Sequence, residues 1–220
     1  MYQYLLFDLD GTLCDTSCGV LRSVQYALGK MNLPVPEADA LRCFIGPPLV
    51  EIFGEYCGFS RDEAVRATAI YRERYSVTGV LEAEPYAGIP DLLAELSARG
   101  VIMGIATGKP APYSPTILEN HGLKKYFRTI STPELDGRHS DKRELITRAL
   151  EAMGVKPADY AQVAMIGDRH FDIIGAHEVG VTAIGVQYGF APDGELETAG
   201  ADYVVESVSA LRRLLLEVDA

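Results

Sequence analysis

The 220-residue sequence contains no tryptophan, few cysteines and no long apolar run. No stretch approaches the roughly 18 consecutive apolar residues that cross a bilayer. The first residues lack the basic region of a signal peptide, so a cytoplasmic protein is expected. No Cys-x-x-Cys pair and no zinc spacing to a histidine occur, which favours reduced thiols over disulfides or a zinc site at Cys14, Cys18, Cys43 and Cys57.

Basic residues are also scarce. The chain has 20 Lys and Arg against 31 Asp and Glu, a formal net charge of −11. They form no stripe that could neutralise the phosphates of a nucleic acid, so nucleic acid is not expected as the main partner. A small anion can still bind, because local dipoles or a metal ion outweigh the net charge at close range.

Short apolar runs closed by turn residues recur along the chain and alternate with helical patterns. Such runs are typical of strands buried on both faces, and they occupy residues 4–7, 101–106, 163–166, 183–186 and 203–205. Helical patterns occupy residues 89–99, 116–121, 145–153, 171–179 and 208–218. This alternation predicts an α/β fold, a Rossmann-like three-layer core in which helices cover both faces of a parallel sheet.

One stretch breaks the alternation. Residues 16–83 show helical segments and no convincing strand, including Gly19–Met31 and a long helix that a Ser-x-x-Glu capping box begins at Ser60 and Glu63. We therefore expect an all-helical domain at residues 16–83, inserted into a core domain made of residues 1–15 and 84–220.

Polar residues follow three of the predicted strands. Asp8 and Asp10 end the first strand, Thr107 ends the second, and Asp168 ends a later one. Asp172 follows four residues after Asp168, one helical turn on. Because ligands of open parallel sheets bind beyond the carboxyl ends of the strands, these side chains are expected at one edge.

Clustered carboxylates require a cation, and oxygen ligands favour a hard ion such as Mg²⁺ that also binds a substrate phosphate. An aspartate held against that phosphate is a candidate nucleophile, and a carboxylate two residues away is a candidate general acid and base. Thr107, the amides near Gly11 and Gly108, and Lys142 in the first turn of a helix are candidates for holding the transferring oxygens.

At this point the sequence resembles the haloacid dehalogenase superfamily, and within it the phosphatases similar to phosphoglycolate phosphatase. Asp8–Thr12 matches the family motif D-x-D-G-T, and Gly167–Asp172 matches G-D-x-x-x-D. Thr107 matches the Thr or Ser at a strand end, and Lys142 matches the phosphate-binding lysine. The resemblance covers essentially the whole chain.

The resemblance implies specific roles. Asp8 would be the nucleophile and a Mg²⁺ ligand, and Asp10 the general acid and base that also ligates through its backbone carbonyl. Asp168 would bind Mg²⁺ directly and Asp172 would support it, often through water. The helical insertion would be the mobile cap that selects the substrate. The remaining candidates for phosphate or substrate binding are Gly11, Thr12, Gly108, Arg22 and Arg42, the last two weighed equally against a role as solvated charges.

The function that follows is a Mg²⁺-dependent phosphatase acting on a small phosphomonoester, such as phosphoglycolate, a sugar phosphate or a nucleoside monophosphate. Two alternatives stay open: a phosphomutase of the β-phosphoglucomutase type, and a non-catalytic relative that binds phosphate. A monomer or homodimer is expected.

For Lys109, next to the Thr107 loop, a surface position is favoured over one at the rim of the site.

Overall fold

The structure is a computed structural model and describes residues 2–217. The chain divides into two compact units. A core unit comprises the residues through Asp15 together with those from Pro85 onward, and an inserted unit comprises Thr16–Glu84. None of the helices within residues 2–217 combines the length and the apolar character needed to traverse a membrane.

The strands of the chain are mostly short and parallel. They are β1 (Tyr4–Phe7), β2 (Cys14–Asp15), β3 (Glu84–Pro85), β4 (Ile102–Ala106), β5 (Phe127–Ser131), β6 (Val163–Gly167), β7 (Thr182–Val186) and β8 (Tyr203–Val205). Six of them form the core sheet in the order β5-β4-β1-β6-β7-β8. Every pairing in that sheet is parallel, which confirms the predicted α/β class.

The sequence patterns missed β5. Its residues Phe-Arg-Thr-Ile-Ser are mostly half-buried, because β5 lies at the edge of the sheet and pairs on one side only. A strand in that position does not need the continuous apolar run that marks a central strand. The central strand β1 shows the contrast, since Leu6 and Phe7 are fully buried between β4 and β6.

Seven helices of the described residues lie within a few residues of their predicted positions, and two, Leu49–Cys57 and Glu195–Thr198, were not predicted. The helices are α1 (Ser17–Lys30), α2 (Leu49–Cys57), α3 (Arg61–Tyr75), α4 (Ile89–Ala98), α5 (Tyr113–Asn120), α6 (Lys142–Met153), α7 (His170–Val179), α8 (Glu195–Thr198) and α9 (Val208–Glu217). Helices α4–α9 belong to the core unit. Val218, predicted as the last residue of the final helix, lies outside the described residues.

The inserted unit contains α1–α3 and two 3₁₀ segments, and its described residues include no strand apart from Glu84 at its boundary. The capping box that the sequence predicts at the start of α3 is present, with Ser60 and Glu63 exchanging hydrogen bonds. Helix α1 packs tightly against the second 3₁₀ segment, since a Cβ atom on Gly19 would lie 2.0 Å from the carbonyl oxygen of Gly79. Helix α2, which the patterns did not separate, begins directly after Pro48.

Candidate active site

The first element of the site is the end of β1. Asp8 continues the pairing with β6, because its backbone N–H donates to the carbonyl oxygen of Ile166 at 2.9 Å. The Asp8 side chain is 11 % exposed, so its carboxylate is largely removed from water. A central strand flanked on both sides therefore fixes the backbone of the residue expected to be the nucleophile.

The turn after Asp8 brings the chain against Asp168. Gly11 has a φ of +77°, and a Cβ atom there would lie 2.0 Å from Oδ2 of Asp168. Only glycine accepts both this conformation and this approach. The next residue, Thr12, donates from its hydroxyl to Oδ1 of Asp168 at 3.1 Å. Thr12, expected to contact phosphate, thus uses its hydroxyl on a neighbouring carboxylate.

Asp168 follows β6 and is fully buried. The backbone N–H of Phe190 donates to its Oδ2 at 2.8 Å, so each carboxylate oxygen accepts a hydrogen bond. Burial, followed by the charges of Asp8 and Asp172, raises the pKa of Asp168 well above its usual range. The ionised carboxylate is therefore costly at this position unless a cation approaches it.

Asp172 lies in the first turn of α7, as the G-D-x-x-x-D spacing requires. The backbone N–H of Arg169 donates to its Oδ2 at 3.1 Å, and the residue is 1 % exposed. Burial raises the pKa of Asp172 to about 6, against the opposing charge of Lys142 and with the added repulsion of Asp8. The carboxylate of Asp172 is thus the second in the site that favours a cation.

Lys142, the first residue of α6, supplies the positive charge that lies against Asp8 and Asp172. Its Nζ lies 2.6 Å from Oδ1 of Asp172 and 3.2 Å from Oδ1 of Asp8, and it donates to the carbonyl oxygen of Ala106 at 3.0 Å. Burial opposes the charged form, but the charges of Asp172 and Asp8 outweigh it and raise the pKa of Lys142. Asp141 caps α6 by accepting from the N–H of Glu144 at 2.9 Å.

These side chains form a compact acidic cluster. One carboxylate oxygen from each of Asp8, Asp168 and Asp172 lies within 4.8 Å of the others, and all three residues are buried. When all three carboxyl groups are ionised, the one ammonium group of Lys142 leaves two negative charges uncompensated. An all-oxygen donor set with two excess charges fits a hard divalent cation, of which Mg²⁺ is the usual example.

The loop after β4 carries Thr107, Gly108 and Lys109. Thr107 is 1 % exposed and its N–H donates to the carbonyl oxygen of Ser131, while a Cβ atom on Gly108 would meet open space. The preference for a surface position at Lys109 is wrong: its side chain is 5 % exposed and its Nζ lies 2.6 Å from Oδ2 of Asp10. The opposite charge of Asp10 offsets the desolvation cost of burying this ammonium group.

The two arginines expected near the substrate lie in the inserted unit. Arg22 is 59 % exposed and its guanidinium lies 2.9 Å from Glu82, which also pairs with Arg74. Arg42 is 64 % exposed and lies 3.6 Å from Asp39. Both side chains therefore already have acidic partners within their own unit.

Two groups of the site were not identified from the sequence. The backbone N–H of Phe190, which holds Asp168, leaves no mark in side-chain patterns because any non-proline residue offers an N–H. Lys109 had a usable signal, since it lies two residues from Thr107 at a strand end.

Comparisons with known proteins agree with this geometry. The sequence profile of the haloacid dehalogenase-like hydrolase family matches residues 5–186. A 5′-nucleotidase from Pseudomonas aeruginosa is 40 % identical over 97 % of this chain and 96 % of its own. The tyrosine-protein kinase PtkA from Mycobacterium tuberculosis is 34 % identical over 86 % of this chain and 63 % of its own.

A solved structure is equally similar. The crystal structure of a predicted phosphatase from Clostridium acetobutylicum superposes with a TM-score of 0.89 at 41 % identity, covering 99 % of both chains. The family profile, the relatives and the cluster of carboxylates around Lys142 agree on one assignment. This chain belongs to the haloacid dehalogenase-like hydrolase family, and it is a phosphatase that acts on phosphate esters.

Proposed function

We propose that the protein is a Mg²⁺-dependent phosphatase that hydrolyses small phosphomonoesters through an aspartyl-phosphate on Asp8. The observation that carries this proposal is the cluster of Asp8, Asp168 and Asp172 within 4.8 Å, with the ammonium of Lys142 against two of the three. In this arrangement the carboxylate of Asp8 would act as the nucleophile, beside both the proposed cation site and the fixed positive charge of Lys142.

The cation would be held by the side chains of Asp8, Asp168 and Asp172, and by the backbone carbonyl of Asp10 as the family resemblance implies. When bound, Mg²⁺ neutralises charge on the phosphoryl oxygens and orients them for attack. The chain itself keeps two of these ligands in place, through the hydrogen bonds of Thr12 to Asp168 and of the Arg169 N–H to Asp172.

Asp8 performs the first chemical step. One of its carboxylate oxygens attacks phosphorus and forms a new P–O bond, while the bond from phosphorus to the leaving-group oxygen breaks. Lys142 lies against Oδ1 of Asp8 and offsets the charge of the transferring group. Thr107 and Gly108, after the end of β4, would supply a hydroxyl and an amide donor for the phosphoryl oxygens. Gly11, the other candidate, already donates its N–H to the carbonyl oxygen of Cys14 at 2.9 Å.

Asp10 handles the protons in both steps. Its carboxyl group donates a proton to the leaving oxygen, and its carboxylate then accepts one from the water that attacks the phosphorus of the aspartyl-phosphate. The second step releases inorganic phosphate and restores Asp8. An acid is needed for the first step because an alkoxide is a poor leaving group.

The name of one relative bears on the substrate. Because a relative 40 % identical over nearly the whole chain is a 5′-nucleotidase, nucleoside monophosphates are the first substrates to test, with sugar phosphates and phosphoglycolate beside them. The inserted unit Thr16–Glu84 would act as the cap that selects among these esters, with Arg22 and Arg42 as candidate contacts.

A phosphate-ester panel with Asp8→Asn tests the proposal. Wild-type protein is expected to release phosphate from at least one small ester when Mg²⁺ is present and to stop when the metal is chelated. Asp8→Asn is expected to lose at least about 10³-fold in kcat because the amide cannot form the intermediate. The control is Asp136→Asn, which alters an exposed carboxylate in the loop before α6. Unchanged turnover in Asp8→Asn, or turnover independent of Mg²⁺, would refute the proposal.

A further inference from the structure

The ion pair between Lys109 and Asp10 is, like the contacts of Lys142, a buried pair between residues far apart in the sequence. Its two residues are 99 positions apart in sequence, and they join the end of β4 to the end of β1. Nζ of Lys109 lies 2.6 Å from Oδ2 of Asp10, with side-chain exposures of 5 % and 25 %. By contrast, Lys124 is 47 % exposed where it pairs with Glu119.

The backbone around Lys109 is held on both sides. Its N–H donates to the hydroxyl oxygen of Thr107 at 3.2 Å, and its carbonyl oxygen accepts from the buried hydroxyl of Ser114 at 2.9 Å. Two side-chain hydrogen bonds therefore fix the residue from which the lysine extends. A donor on a fixed backbone can set the position of its partner more precisely than a lysine on a mobile surface loop.

The site assigns its two buried ammonium groups to different carboxylates. Lys142 contacts Asp8 and Asp172, within the acidic cluster, whereas Lys109 contacts Asp10, whose side chain is not among the three that form that cluster. Burying an ammonium group has a large desolvation cost, and its partner offsets this cost only with good geometry. Lys109 thus keeps the Asp10 side chain in a separate position from the cation ligands.

We propose that Lys109 is a positioning residue that binds Oδ2 of Asp10 and so holds the other carboxyl oxygen where it exchanges a proton with the leaving group. This inference rests on the proposed function, in which Asp10 is the general acid. In the step concerned, the electron pair of the breaking P–O bond stays on the leaving oxygen, and the proton of Asp10 passes to that oxygen. Lys109 takes no part in the bonds that form or break.

The inference predicts a dependence on the leaving group. An alkyl ester needs the proton of Asp10 when its P–O bond breaks, whereas p-nitrophenolate leaves without one. We expect Lys109→Met to lower kcat/KM for an alkyl ester by about 10- to 100-fold, the range for a displaced acid. The loss for p-nitrophenyl phosphate should be at least about tenfold smaller. The ratio kcat/KM is the right readout because it reports the steps up to release of the alcohol.

The experiment compares these two esters, with a nucleoside 5′-monophosphate as the first alkyl probe. Lys109→Arg keeps the positive charge but moves the donor atom. We therefore expect a smaller loss of kcat/KM, again selective for the alkyl ester. This variant replaces Lys109→Met if Lys109→Met does not fold. Lys124→Met is the matched control and should leave kcat/KM unchanged for both esters. In an Asp10→Asn background, Lys109→Met should cause no further loss for the alkyl ester. Inorganic phosphate should inhibit Lys109→Met as strongly as it inhibits the wild-type protein.

The outcomes separate the inference from the proposed function. Equal losses for both esters in Lys109→Met, or weaker inhibition by inorganic phosphate, would overturn the inference, because Lys109 would then bind the phosphoryl group itself. If Asp10→Asn discriminates between the esters and Lys109→Met does not, the positioning role alone is refuted. If Asp10→Asn shows no discrimination, the acid assigned to Asp10 is wrong and the inference falls with it.

Discussion

Replacing Gly11 by alanine is expected to destabilise the core unit far more than the same change at Gly154. Both glycines have a φ of +77°, a left-handed conformation that costs an alanine about 1–2 kcal/mol. At Gly154 the added methyl group meets nothing within 4 Å, whereas at Gly11 it would lie 2.0 Å from Oδ2 and 2.5 Å from Cγ of Asp168. The pair of variants therefore separates the backbone strain from the contacts of the methyl group, which also include the ring of Phe190 at 2.7 Å.

The size of the difference follows from how Asp168 is held. To clear the methyl group, the carboxyl group of Asp168 must leave the 2.8 Å hydrogen bond from Phe190, and a buried donor left without a partner costs about 1–3 kcal/mol. We therefore expect Gly11→Ala to lose about 1–3 kcal/mol more unfolding free energy than Gly154→Ala in urea titrations without metal. Equal losses in the two variants would refute the close approach of Gly11 to Asp168.

Two further predictions concern charge. Lys142→Met leaves buried carboxylates without their ammonium partner, so the unfolding free energy should fall by about 3–5 kcal/mol in urea titrations, and an unchanged value would contradict the buried ion pairs. Burial alone would raise the pKa of Glu195, but hydrogen bonds from Arg169 and His170 outweigh it and lower the pKa to about 2. A lowered carboxyl pKa adds stability that is fully present above the unfolded value of 4.5 and is lost as pH falls toward 2. Glu195→Gln should therefore have a lower Tm than the wild-type protein at pH 7, and the difference in Tm should become smaller below pH 4.5. A difference in Tm that does not depend on pH would contradict the lowered pKa of Glu195.

The sequence was sufficient for the central part of the sheet. Strands such as β1 and β6 are buried on both faces, so their residues must be apolar throughout and the pattern is unambiguous. The edge strand β5 is half-buried and carries Arg128 and Thr129, which a pattern search does not distinguish from a loop. The other edge strand, β8, was predicted because its residues Tyr-Val-Val are all apolar. The polar residues that an edge position permits, rather than the position itself, are what concealed β5.

The same division applies to the site. Asp8, Asp168 and Asp172 were identifiable because each follows a visible strand at a spacing that chemistry restricts. The partners of the acidic side chains were not identifiable in this way. For Lys109 the sequence favours a surface position, and only the fold brings Asp10 to its ammonium group. Sequence patterns therefore predicted which acidic residues the structure brings together, and the structure was needed for their partners.

Locating the phosphoryl group during turnover tests the central claim most directly. Wild-type protein is mixed with Mg²⁺ and a phosphomonoester, quenched in acid, digested, and its peptides are analysed by mass spectrometry. The account predicts a phosphoryl group on the peptide that contains Asp8, and its loss in Asp8→Asn. A phosphoryl group on another residue would contradict it. So would the absence of any phosphorylated peptide from samples that are quenched during turnover under conditions in which the intermediate accumulates.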